Sequence, residues 1–334
     1  AGGGSVRKNG AYDAAAVSLK EAGIPWCELW GVQANPRSGK VYEGIDLART
    51  EGADFLLAIG GGSVIDTAKA IAHGRANPDI DIWDFWLGKK KVEKTTPVGV
   101  ILTIPASGSE TSDSAVLTDE TILQKRGLNT DYNRPVFAIM DPTLAATLPK
   151  RQVACGVTDI LMHTLERYFN PIQGNETTMQ LAESVLRVTI ANGPAVVDNP
   201  GDYDAMSEIM WCGSLSHNGL TGLGGAKGLS VHPVSFALSE KFDVYHGESL
   251  TAIWSSWARY VLDTDVSRFA RFARNVWGVE AADDKEAALA GIAAQEAFFR
   301  SIGMPVRIPA LSCGRQDEAG LADLASRCSY GRTR

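Results

Sequence analysis

Apolar positions along this chain follow two rhythms. Up to about residue 149, short continuous apolar runs alternate with stretches of helical periodicity, the pattern of strand–helix–strand units in a parallel sheet. Asp54–Ile59 and Val98–Ile104 read as strands buried on both faces, and Pro135–Met140 as a third. Helices are expected over Tyr12–Ala22, ended by Gly23, over Val41–Glu51, ended by Gly52, and over Val64–His73, stopped by Gly74. After Pro149 the strand-like runs fade. Helical spacing then dominates across Gln152–Phe169, Thr177–Ile190, Asp204–Asn218 and again beyond Ser249. Breakers mark the joints at Asn170-Pro171, at Asn199-Pro200-Gly201 and in the five-glycine stretch Gly219–Gly228. The pattern predicts an α/β amino-terminal domain with a parallel sheet over residues 1–149 and an all-helical domain over residues 150–334.

Composition narrows the class. A chain of 334 residues exceeds the usual single core, so two domains are the natural expectation. The formal net charge of −7 argues against nucleic acid or acidic membrane surfaces as partners. No run reaches the length of a membrane-spanning helix, and the start lacks the layout of a signal peptide. Five cysteines without a CxxC pair (Cys27, Cys155, Cys212, Cys313 and Cys328) fit reduced thiols, hence a cytoplasmic location. Ala1-Gly2-Gly3-Gly4-Ser5 has the character of a turn that follows a strand, yet no strand precedes it, and Gly331–Arg334 is no evident helix end. The native protein is expected to be longer.

Chemistry concentrates in a few residues. Four of the five histidines crowd into the middle of the chain, and His163 lies four after Asp159. On a helix that spacing puts a carboxylate and an imidazole on one face, where both can hold one divalent cation. His232 and His246 can supply two further ligands. One oxygen with three nitrogens suits Fe(II) or Zn(II) rather than calcium or magnesium. Any one of these histidines alone would read as an ordinary packed residue. His217 reads as a packed or surface histidine and His73, beside Gly74, as a cation at a helix C-terminus. Upstream, the strand 54–59 runs into Gly60-Gly61-Gly62-Ser63 and then a helix, a device that lets backbone N–H groups approach a pyrophosphate. By itself this turn fits an ordinary tight turn equally well, being neither GxGxxG nor a P-loop. Asp66 is either a favourable first-turn acid or a group facing a bound nicotinamide. The Ser107-Gly108-Ser109-Glu110 turn lies at a second strand's carboxyl end, where open α/β sheets bind ligands.

Taken in order, Gly60–Lys69, Pro105–Glu110, Gly156–Asp159 with His163, and Lys241–Gly247 resemble the iron-containing (group III) alcohol dehydrogenases, near their butanol dehydrogenase and broad-range aldehyde reductase branch. The likeness spans essentially the whole chain, with some 35 to 40 residues expected in front and a short helix behind. It implies a dehydroquinate synthase-like fold with the active site in the interdomain cleft. Asp159, His163, His232 and His246 become the implied metal ligands. Gly61, Gly62, Ser63 and Asp66 fall near the pyrophosphate and nicotinamide ribose, with Asp66 a candidate catalytic group. Asn35, Thr103, Ser107, Lys125 and Leu144 fall along the rest of the cofactor, and Gly2, Gly3 and Ser5 at the adenine ribose. No acid stands in that last turn to repel a 2′-phosphate, which favours NADP(H) over NAD(H). The implied metal is Fe(II), with Zn(II) the alternative, and the implied assembly a homodimer.

One departure stands out. Relatives commonly carry a proton-relay histidine four residues past the third ligand; Phe236 stands there, which puts the relay in doubt. The expected activity is metal-dependent NAD(P)H alcohol dehydrogenation and aldehyde reduction on small linear substrates, with Trp254 and Trp257 read first as core residues and second as candidates for an apolar pocket. The rivals are a glycerol-type polyol dehydrogenase, a dehydroquinate synthase-like lyase, disfavoured by few lysines and arginines around the ligands, and a non-catalytic relative.

Overall fold

The computed structural model describes residues 1–170, 175–225 and 229–329. Expectations attached to Pro171, Gly228 and Gly331–Arg334 lie outside the described residues. The chain divides into two compact units, Ala1–Leu148 and Pro149–Arg334.

The first unit contains α1 (Ser5–Lys8), α2 (Ala11–Glu21), α3 (Ser38–Thr50), β1 (Leu56–Gly60), α4 (Gly62–Ala76), α5 (Ile82–Trp86), β2 (Val98–Leu102), β3 (Ser114–Asp119), β4 (Gln124–Asn129) and β5 (Phe137–Met140). Strands β1, β2 and β5 form a parallel sheet in the order β1-β2-β5, with Ile59 opposite Ile101 and Ile101 opposite Ile139. Val98, Val100 and Leu102 of β2 pack with Val64, Ile65, Ala68 and Ala72, so α4 is seated on the sheet by aliphatic burial. A second core beneath α3, α4 and α5 joins Val41, Ile45, Ile71, Ile82, Trp83, Trp86 and Leu117.

Two expectations need correction here. Gly74 does not stop α4, which continues to Ala76. A Cβ at Gly74 would lie 2.1 Å from Ile45 Cδ1 and 2.7 Å from Ile82 Cγ2, so this glycine serves a close helix crossing. The antiparallel pair β3–β4 was not foreseen as a hairpin, because Gln124–Asn129 is too polar to read as a strand.

The second unit is helical in all its described regular elements: α6 (Lys150–Tyr168), α7 (Glu176–Asp198), α8 (Tyr203–His217), α9 (Val231–Phe242), α10 (His246–Val261), α11 (Val266–Trp277), α12 (Asp284–Ser301) and α13 (Glu318–Ser329). Helix α6 is buried along most of its length. Helix α7 outruns its expected end at Ile190 and passes through Pro194, whose fixed φ is helical although its ring removes one hydrogen bond. Trp254 is fully buried and meets Phe299 edge-on, so it belongs to the core rather than to a substrate pocket. No described helix is long and apolar enough to cross a membrane.

Candidate metal centre and nucleotide turn

Three helices of the second unit bring the expected ligands together. Asp159 and His163 lie one turn apart on the buried face of α6. His232 sits in the first turn of α9, and His246 is the first residue of α10. Between those helices the chain reverses at Asp243, which adopts a left-handed φ of 50°. Gly247 allows α10 to touch α6: a Cβ there would stand 2.7 Å from Cys155 Cα, one turn before Asp159.

Asp159 Oδ1 is the common neighbour. It lies 3.4 Å from His163 Nδ1, 3.5 Å from His232 Nε2 and 3.7 Å from His246 Nε2. Ligands about 2.1 Å from one tetrahedral ion would be about 3.4 Å apart, so these spacings suit a shared cation. Ligand atoms of Asp159, His232 and His246 all lie within 4.8 Å of one another. His163 falls outside that mutual group, although its Nδ1 approaches Asp159. Asp159 Oδ1, His163 Nδ1 and His232 Nε2 are buried without a hydrogen-bond partner. Buried polar atoms of a carboxylate and imidazoles packed together without partners suit a shared cation, and a nitrogen–oxygen donor set suits iron or zinc. The residues fit the metal.

Electrostatics around the ligands differ from one imidazole to the next. Burial, reinforced by His217, His232 and Arg167, holds His163 well below the usual histidine range, leaving it neutral, the form in which an imidazole can bind a metal. Burial opposes charging of His232 as well. There the nearby carboxylates Glu166 and Asp159 outweigh it and push the imidazole up to about 9 in the absence of a bound cation.

Glu166 was not singled out from the sequence. It is buried on α6 and accepts from His232 Nδ1 and from backbone N–H groups at the start of α9. Its spacing from Asp159 and His163, seven and three residues, was the signal that could have found it. His217 is a packed histidine, but packed on the centre itself, edge-on to His163 with ring centroids 4.0 Å apart. Arg167 reaches it too, with Nη2 3.4 Å from His217 Nδ1, while Nη1 donates to Ser216 O at 2.6 Å. The surroundings of the ligands are therefore less poor in arginine than expected. Phe236 lies with its ring centroid 5.9 Å from that of His246.

In the first unit the glycine turn connects β1 to α4. A Cβ on Gly62 would be 2.3 Å from Ser107 Oγ, and one on Gly61 2.8 Å from Ile104 Cβ, so only glycine permits the 104–107 turn to lie this close. No side chain caps α4, which leaves its N-terminal amides suited to an anion. A pyrophosphate fits this turn. Ser63 is half-buried in the helix's first turn, and Thr103 N donates to Gly60 O at 3.0 Å.

Asp66 has both oxygens engaged within the protein: Oδ1 accepts from Ser109 Oγ at 2.5 Å and Oδ2 from Val116 N at 2.9 Å. Burial raises its carboxyl above the usual range against the pull of Lys69. Lys69, itself buried, donates to Ser109 O, Ser109 Oγ and Ser114 O at 2.7, 2.9 and 2.8 Å. Lys125 Nζ donates to Asn35 Oδ1 at 2.8 Å, which joins two of the expected cofactor residues. Leu144 packs with Val6, Ala11, Ile59 and Ile101, and its carbonyl accepts from Asn9. Gly2 pairs through its carbonyl with Gly31 N, while Gly3 and Ser5 are exposed.

His73 is not the cation expected at a helix C-terminus. It is buried inside α4, with Nε2 2.7 Å from Asn133 Oδ1 and Nδ1 2.9 Å from Thr95 Oγ1. Asn133 Nδ2 already donates to two carbonyls, so its oxygen faces the ring and Nε2 carries the proton. Burial lowers His73 to about 4, and the ring is neutral.

This pairing of a glycine-lined nucleotide turn with a buried Asp/His metal cluster defines a metal-dependent dinucleotide oxidoreductase of the two-domain α/β–helical class. The family models for iron-containing alcohol dehydrogenase and for its C-terminal domain match residues 1–142 and 153–334. The chain belongs to the iron-containing alcohol dehydrogenase family. It is 38% identical over 332 residues to NADH-dependent butanol dehydrogenase A of Clostridium acetobutylicum, covering 99% of this chain and 85% of that protein. To NADPH-dependent aldehyde reductase YqhD of Escherichia coli it is 34% identical over 309 residues, covering 92% and 79%. The crystal structure of NADH-dependent butanol dehydrogenase A from Thermotoga maritima matches it with a TM-score of 0.94 at 34% identity, over 98% of this chain and 81% of that one.

Proposed function

We propose that this chain is a metal-dependent, NAD(P)H-linked alcohol dehydrogenase and aldehyde reductase that interconverts small linear primary alcohols and aldehydes. The observation that carries the reading is the convergence of buried, unsatisfied Asp159 Oδ1 and His232 Nε2 with His246 in a chain that also holds the glycine turn. When bound, the divalent metal polarises the carbonyl oxygen and the nicotinamide exchanges hydride with the carbonyl carbon. Asp159, His163, His232 and His246 hold the metal. Four protein ligands leave a place for substrate only above four-coordination, which favours Fe(II) over Zn(II). Gly61, Gly62 and Ser63, at the start of α4, take the pyrophosphate, while Asn35, Thr103, Ser107, Lys125 and Leu144 border the rest of the cofactor. Asp66 acts by holding the Ser109 turn and β3 rather than by exchanging a proton, since both its oxygens are engaged. Phe236 offers no proton acceptor, so the alcohol proton leaves by another route. A polyol substrate is the weaker reading.

The test is NADPH oxidation with butanal before and after chelation and reloading. Turnover should vanish on chelation and return with Fe(II). Turnover indifferent to metal removal would overturn the reading. Residues 1–9 contain no acidic side chain to repel a 2′-phosphate, and Gly2, Gly3 and Ser5 give it room. NADPH should therefore surpass NADH in kcat/KM, and the reverse order would refute this preference. The assembly is a homodimer on this reading; light scattering at the monomer mass would count against it.

A further inference from the structure

We propose that Glu166 is a positioning residue that builds the metal centre, coupling the ligand state of His232 to the order of the helix that carries it. The proposal rests on the metal reading above.

Helix α9 starts without a capping side chain of its own, because Ser230 at its N-cap makes no such bond. Val231 and His232 at its start are buried, so their N–H groups need an acceptor. Glu166 supplies one from α6. Its Oε2 takes donors from Ser230 N, from Val231 N at 2.7 Å and from His232 N at 3.4 Å. A carboxylate is also favoured at the positive end of a helix. The other oxygen, Oε1, accepts from His232 Nδ1. An ionised carboxylate can only accept, so it fixes a proton on Nδ1 and reserves Nε2, 3.5 Å from Asp159 Oδ1, as the nitrogen that can take a cation there. Outer carboxylates orient metal-binding imidazoles in this way. One side chain thus does two things at once: it closes the helix start and selects the tautomer that can ligate. Asp159 and Glu166 together also match the double charge of a divalent ion held by neutral imidazoles.

Glu166→Gln separates these functions from mere packing, since it keeps the shape. An amide can offer oxygen to only one side. With its NH2 toward His232, the proton is driven to Nε2 and the ligand is lost. With its NH2 toward the backbone, the helix start is left unsatisfied. Zn(II) affinity is measured by chelator competition, on wild type first, together with hydrogen exchange of the amides at 230–232. With its oxygen toward the backbone the variant should bind about 10–100-fold more weakly; with its oxygen toward His232 those amides should instead exchange faster even at saturating Zn(II). Combined with His232→Ala, Glu166→Gln should weaken binding by less than twofold further, because its effect acts through His232. Wild type that binds no Zn(II) would remove the metal reading and this proposal with it. Wild type that binds, with a variant equal to it in both readouts or fully additive with His232→Ala, would overturn the positioning role and leave the metal reading intact. The double mutant keeps the test decisive even where the single change loosens the fold.

Discussion

Gly247→Ala tests how the fold places His246. In the structure an added Cβ would stand 2.7 Å from Cys155 Cα, 2.8 Å from Cys155 O and 2.9 Å from Cys155 Cβ. Carbon atoms in contact sit about 3.5–4.0 Å apart, so α10 must retreat by about 1 Å. Two of the opposing atoms are backbone, so no rotamer change relieves the clash. Cys155→Ala should not rescue it either. Overpacking of this kind costs about 1–3 kcal/mol, partly offset by the better helix propensity of alanine. A net loss of 1–2 kcal/mol lowers Tm by about 1.5–3 °C in a chain of this length. His246 precedes the substituted residue, and metal bonds tolerate only about 0.2 Å of error. Metal affinity should therefore fall about 10–100-fold. At a fixed metal concentration well above Kd, a 100-fold loss removes about 2.7 kcal/mol of ligand-dependent stabilisation. The metal-loaded protein should then lose more Tm than the metal-free protein, as read by melting each form alongside chelator competition. Wild-type affinity with equal Tm losses in both forms would refute the reasoning.

Two other perturbations probe the first unit. Lys69→Met should destabilise the protein by about 3–5 kcal/mol, because it strands the carbonyls of Ser109 and Ser114 and removes the charge that offsets buried Asp66. Urea unfolding reads this, and an unchanged midpoint would contradict it; the KM for cofactor should also rise as the Ser107–Ser109 turn loosens. His73→Gln should flatten the acid dependence of stability. The wild-type ring stays neutral in the fold down to about 4, held there by burial and by the nearby Lys69 charge. The unfolded ring takes up its proton near pH 6.5, so the unfolded state binds more protons and wild-type stability falls as pH drops from about 6.5 to 4. The loss attributable to His73 is on the order of 3 kcal/mol, and indistinguishable pH profiles for wild type and variant would rule it out.

Periodicity made the main elements legible because both burial patterns are simple. Strand β2 is apolar on both faces, and α6 carries Asp159 and His163 on one of its faces. Ends were less legible where packing overrides local preference. Gly74 reads as a stop, yet it lies inside α4 because Ile45 and Ile82 leave no space for a side chain. Strand β4 escaped because its register with β3 is set by pairing rather than by an apolar stripe. Glu166 escaped because a glutamate on a helix ordinarily reads as a solvated face, and only tertiary structure turns it toward the start of α9. His73 was misread for a related reason: its charge state is set by burial, which depends on packing remote in sequence.

The most direct test of the central claim is anomalous diffraction at the iron or zinc edge from crystals of the metal-loaded protein. The account predicts one strong peak per chain, within about 2.0–2.2 Å of a carboxylate oxygen of Asp159 and of nitrogens of His163, His232 and His246. A peak bonded to other residues, or one that leaves Asp159 and His232 out of its coordination, would contradict it.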